Sequence, residues 1–235
     1  MLSKILSFKK KFRRGTLLIM KIKAMILAAG QGNRLRPITD KIPKPLLKVG
    51  GKTIIERHIK NLKKAGITSI IINVSHLADQ IIQKIGDGSD YGLDINYSHE
   101  KDKPLETLGG ILNAIDFFGD AEYLLVVNAD IWCDYDFKQL TLPRKNFKAH
   151  LVLVPNQNIE NPKGDFGIEG NIIKVNSNKK YTYSGISSIK LDSLRNLSVD
   201  YNKLGRLYRD WAVRRILSGE IYSGNWVDIG THQRF

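Results

Sequence analysis

Ala24-Met25-Ile26-Leu27-Ala28-Ala29-Gly30-Gln31-Gly32 decides the fold. An unbroken apolar run that ends in glycines is the pattern of a strand buried on both faces of a parallel sheet, and ligands of such sheets bind in the loops beyond the strand ends. Downstream, Thr53-Ile54-Ile55-Glu56 is a capping box opening a helix that carries Ile55, Ile59 and Leu62 on one face and stops at Gly66. Residues 69–74 then read as the next buried strand, 77–85 as a helix, 93–97 as a strand, 107–118 as a helix and 123–128 as another buried strand. This β-α alternation predicts an α/β fold: a Rossmann-like, mainly parallel sheet flanked by helices on both faces.

The pattern changes after Asp136. Residues 149–154, 172–175 and 181–189 look like strands separated by Asn/Gly/Pro-rich loops, 206–217 has helical periodicity, and 223–228 reads as a last short strand. A mixed, β-rich second half is expected. The chain divides into a basic extension, residues 1–19, and one domain, residues 20–235.

Composition narrows the classes. The 235 residues are 42% apolar, enough for one substantial core, and the single cysteine, Cys133, forms no internal disulfide and belongs to no zinc-ligand cluster. A reducing compartment, the cytoplasm, is expected. No apolar run near the start approaches the roughly twenty residues of a membrane span. The net charge of +14 suggests a nucleic-acid partner until it is located: residues 1–20 hold six cations and no acid, leaving +8 on the rest. That remainder suits phosphate handling or plain solvated lysines, and no nucleic-acid partner is expected. In the extension, Leu2, Ile5 and Leu6 share a helical face beside Lys9, Lys10 and Lys11, as in a membrane-surface segment, while Met20 offers a simpler start with residues 1–19 as an upstream addition.

Two standard phosphate motifs fail on the glycine-rich loop. The dinucleotide fingerprint requires Gly or Ala where Leu35 stands and a helix that Pro37, Pro43 and Pro45 forbid, and a Walker A loop ending at Gly51-Lys52-Thr53 would need glycine at Leu46. The physics survives: small residues at Ala28, Ala29, Gly30 and Gly32 let backbone N–H groups approach an anion, with Arg34, Arg36 and Lys44 to add charge.

Leu27-Ala28-Ala29-Gly30-Gln31-Gly32-Asn33-Arg34-Leu35-Arg36-Pro37-Ile38-Thr39, followed by Pro43-Lys44-Pro45-Leu46, resembles the signature of the sugar-1-phosphate nucleotidyltransferases. The resemblance runs over about residues 21–231, with Asn33 where the family pattern has Thr and Ala129 where it has Gly. Asp130, closing an apolar strand, and Asp228 in Trp226-Val227-Asp228-Ile229-Gly230-Thr231 match the family's acid pair. A strand-end Asp is by itself equally a turn former; the resemblance implies that Asp130 and Asp228 hold Mg²⁺. It further implies transfer of a nucleotidyl group from a nucleoside triphosphate to a sugar 1-phosphate with release of pyrophosphate, Arg34 on the leaving phosphates and Lys44 on the α-phosphate side. Leu27, Ala28, Ala29, Gly30, Gly32, Asn33 and Arg34 would bind the nucleotide.

Pro104-Leu105-Glu106-Thr107-Leu108-Gly109-Gly110 resembles the segment that reads the nucleobase, in the form found in compact uridylyltransferases acting on N-acetylmuramate 1-phosphate. Leu105, Glu106 and Thr107 are therefore expected at the base, and UTP is the favoured donor. Asn161, Gly164, Asp165 and Gly185 resemble that subgroup's sugar-side elements, and Lys180 stands near where relatives hold the sugar phosphate. The alternatives are a mannose-1-phosphate guanylyltransferase, a glucose-1-phosphate thymidylyltransferase, or a non-catalytic sugar-nucleotide sensor. Relatives continue past the point corresponding to Phe235, so a short C-terminal edge or one supported by a partner subunit of a homo-oligomer is expected. His58, on the apolar stripe of the first helix, reads as a core residue, and His76 as a residue near the base pocket.

Overall fold

The computed structural model describes residues 21–101, 104–156 and 161–230; the readings of the basic extension and of Thr231 lie outside them. The first half contains β1 (Ile22–Leu27), a short ladder of β2 (Lys48–Val49) and β3 (Lys52–Thr53), α1 (Ile54–Lys64), β4 (Ser69–Val74), α2 (Ala78–Ile85), β5 (Asp94–His99), α3 (Glu106–Asn113) and β6 (Tyr123–Asn128). The second contains β7 (Ile131–Cys133), β8 (Ala149–Val154), β9 (Gly167–Glu169), β10 (Ile172–Lys174), β11 (Thr182–Lys190), α4 (Asp192–Arg195), α5 (Leu204–Val213), β12 (Leu217–Ile221) and β13 (Trp226–Asp228).

One sheet runs in the order β5-β4-β1-β6-β11-β8-β12-β10-β9. Its first four strands are parallel, as the β-α alternation requires. β11 enters antiparallel between β6 and β8, β12 runs parallel to β8, and β10 and β9 finish the edge antiparallel. The α/β class and the mixed second half are as the sequence predicts.

Both faces are covered, which is why the strands read as continuous apolar runs. Ala24 and Ile26 of β1 face a core with Ile70, Ile72 and Val127, closed by Ile55, Ile59 and Leu62 of α1 and Ile81 of α2. Met25 faces the opposite core with Ile71, Val126 and Leu151, closed by Leu108 and Ile111 of α3 and Leu207, Tyr208 and Trp211 of α5. Each aliphatic side chain so buried contributes about 1.5–3 kcal/mol relative to exposure. α1 starts as predicted: the Glu56 N–H donates to Thr53 Oγ1 and the Thr53 N–H returns a bond to Glu56 Oε2 at 3.0 Å.

Two helices end earlier than the periodicity suggests. The predicted helix over 206–217 stops at Val213, and 217–221 is strand β12 instead. A Schellman turn ends it: the Ile216 N–H reaches the Trp211 carbonyl, the Arg215 N–H reaches Ala212, and Arg215 takes φ 58° without a glycine to announce it. The predicted helix over 107–118 ends at Asn113 and continues as a 3-10 turn over Ile115–Phe118, because the Ala114 N–H is shared between the Gly110 and Ile111 carbonyls and the ladder tightens.

Candidate active site

The parallel register places Leu27, Asn73 and Asn128 in one row at the C-terminal ends of β1, β4 and β6. Beyond that row opens a cavity of about 370 Å³. Its walls include Leu27, Ala28, Ala29, Gly30, Asn33 and Lys44 from the glycine-rich loop and Glu106 and Thr107 from the start of α3, with Asn128, Ala129 and Asp130 beyond β6. The loop is folded by three short 3-10 turns in place of a helix, consistent with its prolines. Gly32 stands behind the wall at φ 69°, where a Cβ would lie 2.8 Å from the Thr39 side chain, which itself donates to the Gly32 carbonyl.

Two aspartates far apart in sequence come together through a pairing of β7 with β13, which sets Asp228 opposite Ile131. The Ile229 N–H donates to the Asp130 carbonyl at 2.8 Å, so the two acidic residues are carried by directly bonded backbone. Lys44 Nζ donates to Asp130 Oδ2 at 2.7 Å. On the other side, the Asp228 carboxylate and the Arg34 guanidinium both press on the Gly230 backbone: a Cβ there would lie 2.7 Å from Asp228 Oδ1 and 3.0 Å from Arg34 Nη2. The cationic loop and the distant acids therefore share one corner of the molecule. Arg36, by contrast, pairs with Asp40 on an exposed surface at 3.2 Å.

The opening of α3 is anchored from outside. The Leu108 and Gly109 N–H groups donate to the Asn202 carbonyl, Thr107 Oγ1 accepts the Leu204 N–H at 2.9 Å, and Lys203 Nζ lies 3.8 Å from Glu106 Oε1. Thr107 thus lines the cavity while its hydroxyl caps α5. Glu106 sits at φ 62°, a left-handed conformation that costs a non-glycine residue about 1–2 kcal/mol. The Leu105 N–H donates to Glu100 Oε2 at 2.7 Å.

The residues expected on the sugar side lie farther along β11. Gly185 occupies a bulge between Tyr183 and Ser187 at φ 83°, and a Cβ there would lie 2.9 Å from Asn128 on the cavity floor. Trp226 Nε1 donates to the neighbouring Ser184 carbonyl at 2.8 Å, joining β11 to β13. Asp165 accepts from Asn161 Nδ2 and from the Tyr183 N–H, both at 2.9 Å, and Gly164 packs on the Lys180 backbone. Asn161, Gly164, Asp165 and Lys180 form a loop cluster beside β11, outside the walls of the 370 Å³ cavity.

Sequence reasoning misses two residues of this site, Asn73 and Glu100. Both line the cavity and both are almost fully buried. A signal for Asn73 exists: an amide inside Ile70-Ile71-Ile72-Asn73-Val74, where every neighbour is apolar.

Residues 23–180 match the nucleotidyl transferase family model, and the chain is 41% identical over 219 residues to the N-acetylmuramate alpha-1-phosphate uridylyltransferase of Neisseria meningitidis, covering 89% of this chain and 94% of that one. The chain belongs to the nucleotidyl transferase family. A mannose-1-phosphate guanyltransferase of Xenopus laevis is 36% identical over 60% of this chain and 39% of its own length. Among solved structures, a Bacillus anthracis chain described as a glucose-1-phosphate thymidylyltransferase superposes with a TM-score of 0.76 at 24% identity, covering 91% of this chain and 92% of that one, which shows the shared fold. With these relatives the protein is a sugar-1-phosphate nucleotidyltransferase.

In this nucleotidyltransferase the remaining titratable groups near the acids are structural. His58 is fully buried behind Asp130; burial pushes its pKa down to about 4, against the opposing pull of a hydrogen bond to the Ile131 backbone and of the Asp130 charge. Cys133 on β7 is buried, which raises its thiol to about 11 and leaves it unreactive. His76 Nε2 contacts the Thr39 carbonyl at 3.1 Å and so supports the glycine-rich loop. Among the described residues no helix is long and apolar enough to cross a membrane.

Proposed function

We propose that this nucleotidyltransferase joins UTP to N-acetylmuramate 1-phosphate, giving the nucleotide sugar and pyrophosphate, in cytoplasmic recycling of cell-wall precursors. The observation that carries this reading is the match to the Neisseria uridylyltransferase over nearly the full length of both chains, sugar-side half included, where the guanyltransferase match covers a smaller share of both.

The attacking oxygen belongs to a phosphate already ionised at neutral pH, so the site needs no general base. It forms a bond to the α-phosphorus while the bond from that phosphorus to the bridging oxygen breaks and pyrophosphate leaves with the electron pair. What remains for the protein is alignment and charge. Arg34 is assigned to the departing β,γ-phosphates and Lys44 to the α-phosphate, both cations converging on the corner that carries Asp130 and Asp228. Leu105, Glu106 and Thr107 would face the base, and the Asn161–Asp165 loop with Gly185 and Lys180 the sugar.

Among the described residues no three His, Cys, Asp or Glu side chains gather as a complete metal cage. Two carboxylates on bonded strands beside a phosphate site nevertheless fit Mg²⁺, which takes one or two carboxylates and completes its shell with phosphate and water. Bound by Asp130 and Asp228, it would neutralise charge on the triphosphate.

The test is pyrophosphate release across four nucleoside triphosphates and N-acetylmuramate, glucose and mannose 1-phosphates. UTP with N-acetylmuramate 1-phosphate should give the highest kcat/KM. A preference for GTP with mannose 1-phosphate or for dTTP with glucose 1-phosphate would replace the substrate assignment, and binding without turnover of any pair would make the protein a sensor.

A further inference from the structure

Asn73 and Glu100 form a buried bridge between the two walls of the cavity. Asn73 Oδ1 accepts the Ala28 N–H at 2.8 Å, Asn73 Nδ2 donates to Glu100 Oε1 at 2.8 Å, and Glu100 Oε2 accepts the Leu105 N–H at 2.7 Å. Ala28 opens the glycine-rich loop; Leu105 opens the segment that leads into α3. Nothing larger than hydrogen fits above the bridge, since a Cβ at Gly110 would stand 2.5 Å from Glu100 Oε1 and 2.7 Å from Asn73 Nδ2. Glu100 is further fixed by its own backbone, whose N–H bonds the Val74 carbonyl beside Asn73.

The chain of bonds has a polarity. The Ala28 N–H can only donate, so Asn73 must turn its oxygen to it and its NH₂ to Glu100; the Leu105 N–H can only donate, so both Glu100 oxygens must accept. A neutral amide in place of the Glu100 carboxylate leaves one donor facing a donor, and a carboxylate in place of the Asn73 amide leaves two carboxylates facing each other.

We propose that Asn73 and Glu100 are a positioning pair that sets the spacing between the phosphate wall and the nucleobase wall, and so governs how well the nucleoside triphosphate is held without reacting themselves. This rests on the assignment of the cavity to the nucleotide. Asn73→Asp and Glu100→Gln, each alone, break the polarity, whereas the double variant restores it reversed. There the carboxylate introduced on β4 accepts from both the Ala28 N–H and the new side-chain amide, whose own oxygen accepts from Leu105.

The experiment measures steady-state kinetics and hydrogen exchange on the native chain, both single variants and the double variant. Each single variant should raise the nucleotide KM about tenfold, on the scale of one lost buried hydrogen bond, with the KM for sugar 1-phosphate within about twofold of native. The double variant should return the nucleotide KM to within about threefold of native. Native Ala28 and Leu105 amides should be protected; the single variants should lose protection at one of them, and the double variant should regain it. Failure of the double variant to recover would overturn the proposal and leave Glu100 as a direct contact to the base. An equal rise in both KM values would make the pair merely structural. If native protein turns over no nucleotide, the cavity assignment fails, and the exchange pattern still decides whether the bridge orders the two walls.

Discussion

Lys44 Nζ lies 2.7 Å from Asp130 Oδ2, the lysine buried and the aspartate one-third exposed. A cation from the glycine-rich loop is thus held by an acid from the end of β6 before any substrate arrives. The contact places the ammonium at the cavity wall and limits the desolvation cost of burying it. Lys44→Ala should lower kcat/KM by about two to three orders of magnitude, as loss of a preorganised charge does. Lys44→Arg should recover little, because a planar guanidinium does not match a slot shaped for one ammonium. Activity within about tenfold of native in Lys44→Ala would remove Lys44 from the reaction.

Arg34 Nη2 and Asp228 Oδ1 crowd the same face of Gly230, 3.0 and 2.7 Å from where a Cβ would stand. If Arg34 holds the leaving phosphates, Arg34→Ala should cost about two to four orders of magnitude in kcat/KM, mostly in kcat, with melting temperature little changed. Near-native turnover would sink the leaving-group assignment.

The acid pair gives a separate reading of the metal. Asp130→Asn and Asp228→Asn should each raise the Mg²⁺ concentration needed for half-maximal rate well beyond that of the native chain, and the double variant should be inactive at any Mg²⁺ concentration. Titration of rate against Mg²⁺ checks this, and an unaltered Mg²⁺ dependence in both single variants would place the metal elsewhere.

How far the sequence discloses this site depends on what each residue answers to. β4, β6 and β8 are readable to the residue because both faces are buried and few polar side chains interrupt them, Asn73 among those few. β12 is not, since Leu217-Ser218-Gly219-Glu220-Ile221 carries no apolar run and is a strand only because β8 and β10 flank it. β7, three residues long, likewise exists through its pairing with β13. Asp130 and Asp228 can be found because strand-end acids stand inside a recognisable pattern. Glu100 cannot: its partners Asn73 and Leu105 are assembled by the sheet register and the α3 approach, neither of which has a local signature.

The bulge in β11 makes Gly185 a sensitive position. At φ 83°, with Asn128 atoms 2.9 Å from any added Cβ, Gly185→Ala should destabilise the chain by about 2–4 kcal/mol, from left-handed strain plus overpacking. Denaturant unfolding measures it. A loss below about 0.5 kcal/mol would mean that the bulge relaxes freely.

His58 supplies a pH dependence whose sign is fixed by its burial. Its folded pKa, about 4, lies below the ordinary value of 6.5, so the unfolded chain binds a proton that the folded chain refuses. Stability is therefore complete above pH 6.5 and declines as pH falls toward 4, by about 3 kcal/mol over that span. Several carboxylates that also favour the folded state act lower, two of them partly buried: burial at Glu56 is outweighed by the Thr53 hydrogen bonds, and at Glu220 by His150 and Tyr135, which holds both below the usual carboxylate range. The interval from pH 6.5 to about 5 lies above the range in which those carboxylates act. Equilibrium unfolding of the native chain should weaken steadily across it, and His58→Gln, which keeps a polar group near the Ile131 backbone but cannot titrate, should flatten that slope. An identical slope in the variant would show that another group takes up the proton.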